Sequence, residues 1–172
     1  ELHGETLLRR AARMLAESVF DPVAVVIGED AQELEVKELA VTCIVNRHRL
    51  AGMSTSLRAG LDRLLELEPD LDGVLIALCD QPAITTTAFD IFAARFSESH
   101  APAIASAYDG TVGVPALFSK QLFPALRALE GDKGARTILR KRADVLTIDL
   151  PEAALDIDAP SDLRPIRAIT PR

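Results

Sequence analysis

Asp80 stands where an apolar run, Val74-Leu75-Ile76-Ala77-Leu78-Cys79, gives out and Gln81-Pro82 turns the chain away. A carboxylate at the carboxyl end of a buried strand faces the crevice in which α/β sheets bind their ligands. One or two carboxylates, completed by water and ligand phosphates, form the usual magnesium shell. A second acidic pair, Asp156 and Asp158, lies far along the chain. Residues two apart on an extended segment face the same side, so both can point at one ion. The competing reading makes Asp80 the cap of a turn, and Asp158 or Ser161 the cap of a short closing helix whose first turn holds Pro160. Two acidic clusters, each at a strand end, favour a shared cation. The matching chemistry is phosphoryl or nucleotidyl transfer, in which a metal offsets charge on the transferring group.

Two further segments could meet an anion. Gly52-Met53-Ser54-Thr55-Ser56 follows a strand-like run and opens a helix. A helix start offers backbone amides, and small hydroxyl residues allow close approach. The plainer reading is a loop followed by an ordinary cap at Ser54. Gly131-Asp132-Lys133-Gly134-Ala135-Arg136 places a lysine and an arginine among glycines at another helix start. It lacks Walker spacing, and a solvated turn is its plainer reading. His3, His48 and His100 have no metal-ligand spacing, and no serine sits in a G-x-S-x-G elbow.

Alternating elements must position these groups. Helical spacing of Leu7, Leu8, Ala11, Ala12 and Leu15 predicts a first helix opened near Gly4 and Thr6. Continuous apolar runs at 23–27, 41–45 and 74–78 predict strands buried on both faces. Short strands are expected at 104–107, 114–118 and 145–148, and helices at 31–38, 53–67, 85–96, 121–129 and 135–142. The pattern implies a three-layer α/β fold, a mostly parallel sheet with helices on both faces. Residues 1–172 read as a single domain.

The 172 residues are 48% apolar and 26% charged with a net charge of −7. That balance argues against a nucleic-acid partner, so a phosphate ligand has to be held by local donors and metal. No apolar run is long enough to cross a bilayer, and none has the layout of a signal peptide, which together imply a cytoplasmic protein. Cys43 and Cys79 sit in apolar runs and read as two buried thiols, not a disulfide.

In order along the chain, five stretches resemble the MobA-like NTP transferases, and among them the molybdenum cofactor cytidylyltransferase branch. They are Asn46 with 52–61, Leu78-Cys79-Asp80-Gln81-Pro82, Gly113-Val114-Pro115 with Leu117-Phe118, 131–136, and Leu155-Asp156-Ile157-Asp158-Ala159-Pro160, where Ala159 replaces a usual threonine. The resemblance implies a glycosyltransferase-A-like fold and transfer of a nucleotide, CTP in preference to GTP, to molybdopterin over Mg2+ (or Mn2+), with release of pyrophosphate. It implies that Asp80 is catalytic and binds the metal with Asp158. Asn46, Gly52, Met53 and Ser56 would face the nucleotide, and Gly113, Pro115, Lys133 and Arg136 the acceptor. The family's first strand and glycine-rich phosphate loop would precede Glu1. Without them, the alternative is a non-catalytic MobA-like module that carries the cofactor or matures a molybdoenzyme.

Overall fold

A computed structural model describes residues 1–29, 36–157, 159 and 162. The elements in chain order are α1 (Leu7–Ala16), β1 (Ala24–Ile27), β2 (Thr42–Val45), α2 (Met53–Leu67), β3 (Gly73–Ile76), α3 (Thr86–Glu98), β4 (Ala103–Tyr108), β5 (Thr111–Ser119), α4 (Phe123–Arg127), α5 (Arg136–Leu139) and β6 (Val145–Asp149). The predicted helix over 31–38 falls largely outside the described residues, as do Asp158 and the closing helix at Pro160.

The four strands β3-β5-β4-β6 form one sheet, and β1-β2 form a second, parallel pair. In the larger sheet β4 and β6 run parallel, whereas β5 runs antiparallel to both its neighbours. The single, mostly parallel sheet expected from the sequence is therefore corrected to two sheets, the larger of which has one reversed strand. That reversal follows from the tight Asp109-Gly110 link, which is too short for a parallel crossover. Asp109 and Gly110 both have positive φ, 48° and 68°.

Alternation along β4 and β5 splits the core into two sides. Ala103, Ala105, Ala116 and Phe118 pack beneath α2, α4 and α5 with Leu61, Leu64, Leu126 and Leu139. Ile104 and Leu117 face the other way, onto Phe89 and Phe92 of α3. Helix α1 reaches both sheets: Met14 and Leu15 join the α3 side, while Leu8 and Ala12 pack on β1 and β2. Helix α2 covers the opposite face of β1, close enough that a Cβ on Gly60 would lie 3.2 Å from Val26. These contacts give three layers, with β1 and β3 presenting edges that have no ladder partner among the described residues.

Local chemistry explains the helix starts. Thr6 Oγ1 accepts from Arg9 N at 3.2 Å, and Thr85 Oγ1 accepts from Ala88 N, as capping requires. The predicted cap at Ser54 is replaced by Gly52, because Ser54 lies inside α2, buried, with its amide donating to Gly131 O at 3.1 Å. Helix α5 is shorter than predicted: after Leu139 the bonds tighten to Lys141 N to Ile138 O and Arg142 N to Leu139 O, a 3₁₀ ending. Cys79 is exposed and Cys43 half-buried, which corrects the expectation of two buried thiols. Strand β3 stops at Ile76, so Cys79 already belongs to the turn.

Candidate active site

The Asp80-Gln81-Pro82 turn is a node to which several elements are tied. Arg10, only 8% exposed, donates from Nε to Pro82 O at 2.9 Å and anchors the turn to α1. Burial pulls the Arg10 guanidinium below its ordinary pKa, and the neighbouring Arg13 adds to this. Gln81 Nε2 donates to Val114 O at 3.1 Å and Ala153 O at 2.7 Å. Ile157 N donates to Asp80 O at 2.9 Å. The last two bonds lay the C-terminal acidic segment against the turn. Residues 80 and 156, 76 positions apart in the sequence, thereby come to one place.

A bulge supplies part of this arrangement. Pairing of β4 with β5 passes from Ala105–Ala116 to Ser106–Gly113, which leaves Val114 and Pro115 outside the register. Proline has no N–H to give a ladder, so a bulge is where a central strand can hold it. The freed carbonyls are used: Val114 O accepts from Gln81, and Pro115 O accepts from Ser106 Oγ at 2.7 Å.

Beside the turn opens a cavity of about 710 Å³. One end is apolar and runs between β1, at Ala24 and Val26, and β3, at residues 74–76, under Leu57 and Leu61 of α2. The other end is polar, lined by Gln81, Tyr108, Asp132, Arg136, Arg140, Lys141 and Asp156, with Met53 and Ser56 from the start of α2.

Of the residues expected at the nucleotide, Met53 and Ser56 line this cavity, while Asn46 and Gly52 stand behind it, buried. Asn46 Nδ2 donates to Thr55 Oγ1 at 2.8 Å and Ser56 Oγ at 2.9 Å, and its Oδ1 accepts from His48 N. Asn46 therefore orients Ser56, whose own proton stays available to a ligand. Gly52, at φ 105°, packs against the Gly131–Asp132 backbone. The helix-start amides expected to meet an anion are committed inside the protein: Ser54 N donates to Gly131 O and Thr55 N to Gly52 O.

The expected acceptor residues need correction. Pro115 is fully buried and Gly113 is buried in β5, so neither can touch a molecule in the cavity. Gly113 acts through Tyr108, since a Cβ there would come within 3.0 Å of the phenol oxygen. Arg136 lines the cavity, but its Nε donates to Val112 O at 3.0 Å and its Nη2 to Thr111 Oγ1 at 2.6 Å, which holds the β4–β5 hairpin. Lys133 is exposed and lies outside the cavity lining.

Sequence patterning overlooked Tyr108, which reads as one more β-strand aromatic. Burial pushes its phenol above the ordinary value. The Arg136 guanidinium opposes this, the Asp156 and Asp80 carboxylates reinforce it, and Arg140 opposes it. Tyr108 therefore lies within the fields of both carboxylates and both arginines.

Among the described residues no group of three or more His, Cys, Asp or Glu side chains gathers as a metal site. The donors present still suit a hard cation that keeps much of its water. The backbone bond from Ile157 N to Asp80 O brings residues 80 and 156 close in space, Asp156 lines the cavity while Asp80 stands in the turn behind its lining, and Gln81 Oε1 is buried with no hydrogen-bond partner among the described residues. No described helix is long and apolar enough to cross a membrane.

Residues 1–145 match the MobA-like NTP transferase domain family. The chain belongs to that family. Purine catabolism protein PucB of Bacillus subtilis (strain 168) is 36% identical over 69 residues, a match spanning 40% of this chain and 32% of that protein's length. The homolog of Mycobacterium tuberculosis Rv0371c from Mycobacterium sp. strain JC1 is 30% identical, with a TM-score of 0.76 over 98% of this chain and 85% of that one. Rv0371c of Mycobacterium tuberculosis H37Rv in complex with manganese has 22% identity and a TM-score of 0.76 over 98% of this chain and 89% of that one, a likeness of fold.

Proposed function

We propose that this MobA-like protein transfers a nucleotidyl group from a nucleoside triphosphate, CTP in preference to GTP, to the phosphate of a molybdopterin-type acceptor. A phosphate oxygen of the acceptor attacks the α-phosphorus, the α–β phosphoanhydride bond breaks, and pyrophosphate carries away the bonding pair. The observation that supports this most is the bond from Ile157 N to Asp80 O, which draws the closing acidic segment onto the turn at the end of β3. Asp80 and Asp156 would hold Mg2+ or Mn2+, and Asp158 is the expected further ligand. The cation, when bound, offsets charge on the transferring phosphate. Ser56, oriented by Asn46, donates to the nucleoside, and Met53 packs beside it.

The apolar end of the cavity lies between two unladdered edges, β1 and β3. Backbone groups on those edges are open to a ligand or to another segment. Calorimetric titration with CTP and with GTP, with and without Mg2+, tests the reading. Magnesium-dependent CTP binding that weakens at least tenfold in Asp80→Asn is expected. Equal affinity in that variant, or no need for the metal, counts against the site.

A further inference from the structure

Arg140 and Lys141 line the polar end of the cavity just beyond α5, and Tyr108 lines it from the end of β4. Neither cation makes a side-chain hydrogen bond or ion pair among the described residues, and both are exposed. In this they differ from Arg136, whose Nε and Nη2 are engaged by Val112 and Thr111. Resting on the nucleotidyl-transfer reading above, we propose that Tyr108, Arg140 and Lys141 form the seat for the acceptor's phosphate.

Three physical requirements converge here. An attacking phosphate brought towards Asp80 and Asp156 is repelled by both carboxylates, and with a net charge of −7 no global field offsets this. Local cations have to do so, and an arginine fork matches a phosphate's oxygens. The phosphate also has to be aimed. Tyr108 is held at the surface of Gly113, where the missing side chain leaves room for its ring and hydroxyl. A phenol is protonated at neutral pH, so it donates one hydrogen bond to a phosphate oxygen in a fixed direction. Finally, the attacking and leaving oxygens lie roughly in line, so the two phosphate groups need separate walls. The nucleoside side is built from α2 through Met53 and Ser56, whereas this seat comes from the β4–β5 hairpin and the end of α5. The sequence offered Lys133 and Arg136 for this role; the proposal moves it to Arg140 and Lys141 further along and to Tyr108 on the β4–β5 hairpin.

The test titrates native protein saturated with Mg2+ and CTP using inorganic phosphate. Calorimetry is the signal for wild type, Arg140→Gln, Lys141→Gln and Tyr108→Phe. Expected are saturable binding by wild type, a loss of about tenfold in Arg140→Gln, about threefold to tenfold in Tyr108→Phe, and CTP affinity within about twofold throughout, the scale of charged and neutral hydrogen bonds. The seat is overturned if wild type shows no saturable phosphate binding, or if the variants bind phosphate as wild type does. CTP affinity that falls in step with phosphate affinity also overturns it, by assigning these groups to the triphosphate. Failure of wild type to bind CTP with Mg2+ would instead sink the transfer reading, while phosphate titration without nucleotide still tests the seat.

Discussion

Replacing Gly52 by alanine should damage the protein far more than the same change at Gly131, although the two glycines touch. Gly52 has φ 105° and ψ 169°, a region open to glycine and almost nothing else. Holding alanine there costs about 1–3 kcal/mol. Its Cβ would also come within 3.0 Å of the Gly131 carbonyl carbon and oxygen and the Asp132 nitrogen. Those are backbone atoms that cannot swing aside, so the loop has to move and release the bond from Ser54 N to Gly131 O, worth about 1 kcal/mol. The total is about 3 kcal/mol, or a fall in Tm of about 6–12 °C for a chain of this size. Gly131 has φ 59° with open space where its Cβ would point, so Gly131→Ala costs about 1 kcal/mol of left-handed strain alone. Urea and thermal unfolding of both variants read the difference, and CTP titration follows the displacement of Met53 and Ser56. Stabilities of the two variants within about 0.5 kcal/mol of each other would refute the claim that the 131–134 loop is clasped to the start of α2.

Gly113→Ala crowds only the far end of a side chain, so a modest loss of about 1–2 kcal/mol is expected, with a clear change in Tyr108 fluorescence as the phenol leaves its place. An unchanged emission spectrum would contradict the contact. Alkaline titration followed by phenolate absorbance should place Tyr108 above free tyrosine, since burial disfavours its anion, and a normal or lowered value would contradict that environment. Arg13 hydrogen-bonds Glu5 and holds its carboxyl below the usual value of 4.5, so this pair stabilises the fold above about pH 4.5 and the contribution fades as pH falls through the lowered native value. Glu5→Gln should therefore cost about 0.5–1 kcal/mol at pH 7 and less at pH 3, as read by urea unfolding at the two pH values.

Most of the elements were legible because their signals are local. The α2 pattern predicts 53–67 and the structure has Met53–Leu67, and Thr6 and Thr85 cap as their chemistry suggests. Asp80 was singled out because it follows the apolar run of β3, whereas Asp156 follows the short helical turn Pro151–Ala154 and not the strand end that the sequence suggested. What the sequence could not carry was long-range. Gly52 took the cap from Ser54 because a carbonyl 77 residues onward claims the Ser54 amide. Arg136 looked free as a cation, and only folding puts Thr111 and Val112 within its reach. Tyr108 carries no spacing signal at all; its place depends on the Ser106–Gly113 register, which the bulge at Val114 and Pro115 sets.

Transfer itself is the most direct test. Native protein incubated with Mg2+, CTP labelled at the α-phosphate and molybdopterin should release pyrophosphate in step with label appearing on the pterin, CTP outpacing GTP, and Asp80→Asn should slow both about a hundredfold or more. Tight pterin binding with no pyrophosphate released, or turnover indifferent to Asp80, would contradict the account and point to a cofactor carrier built on the same fold.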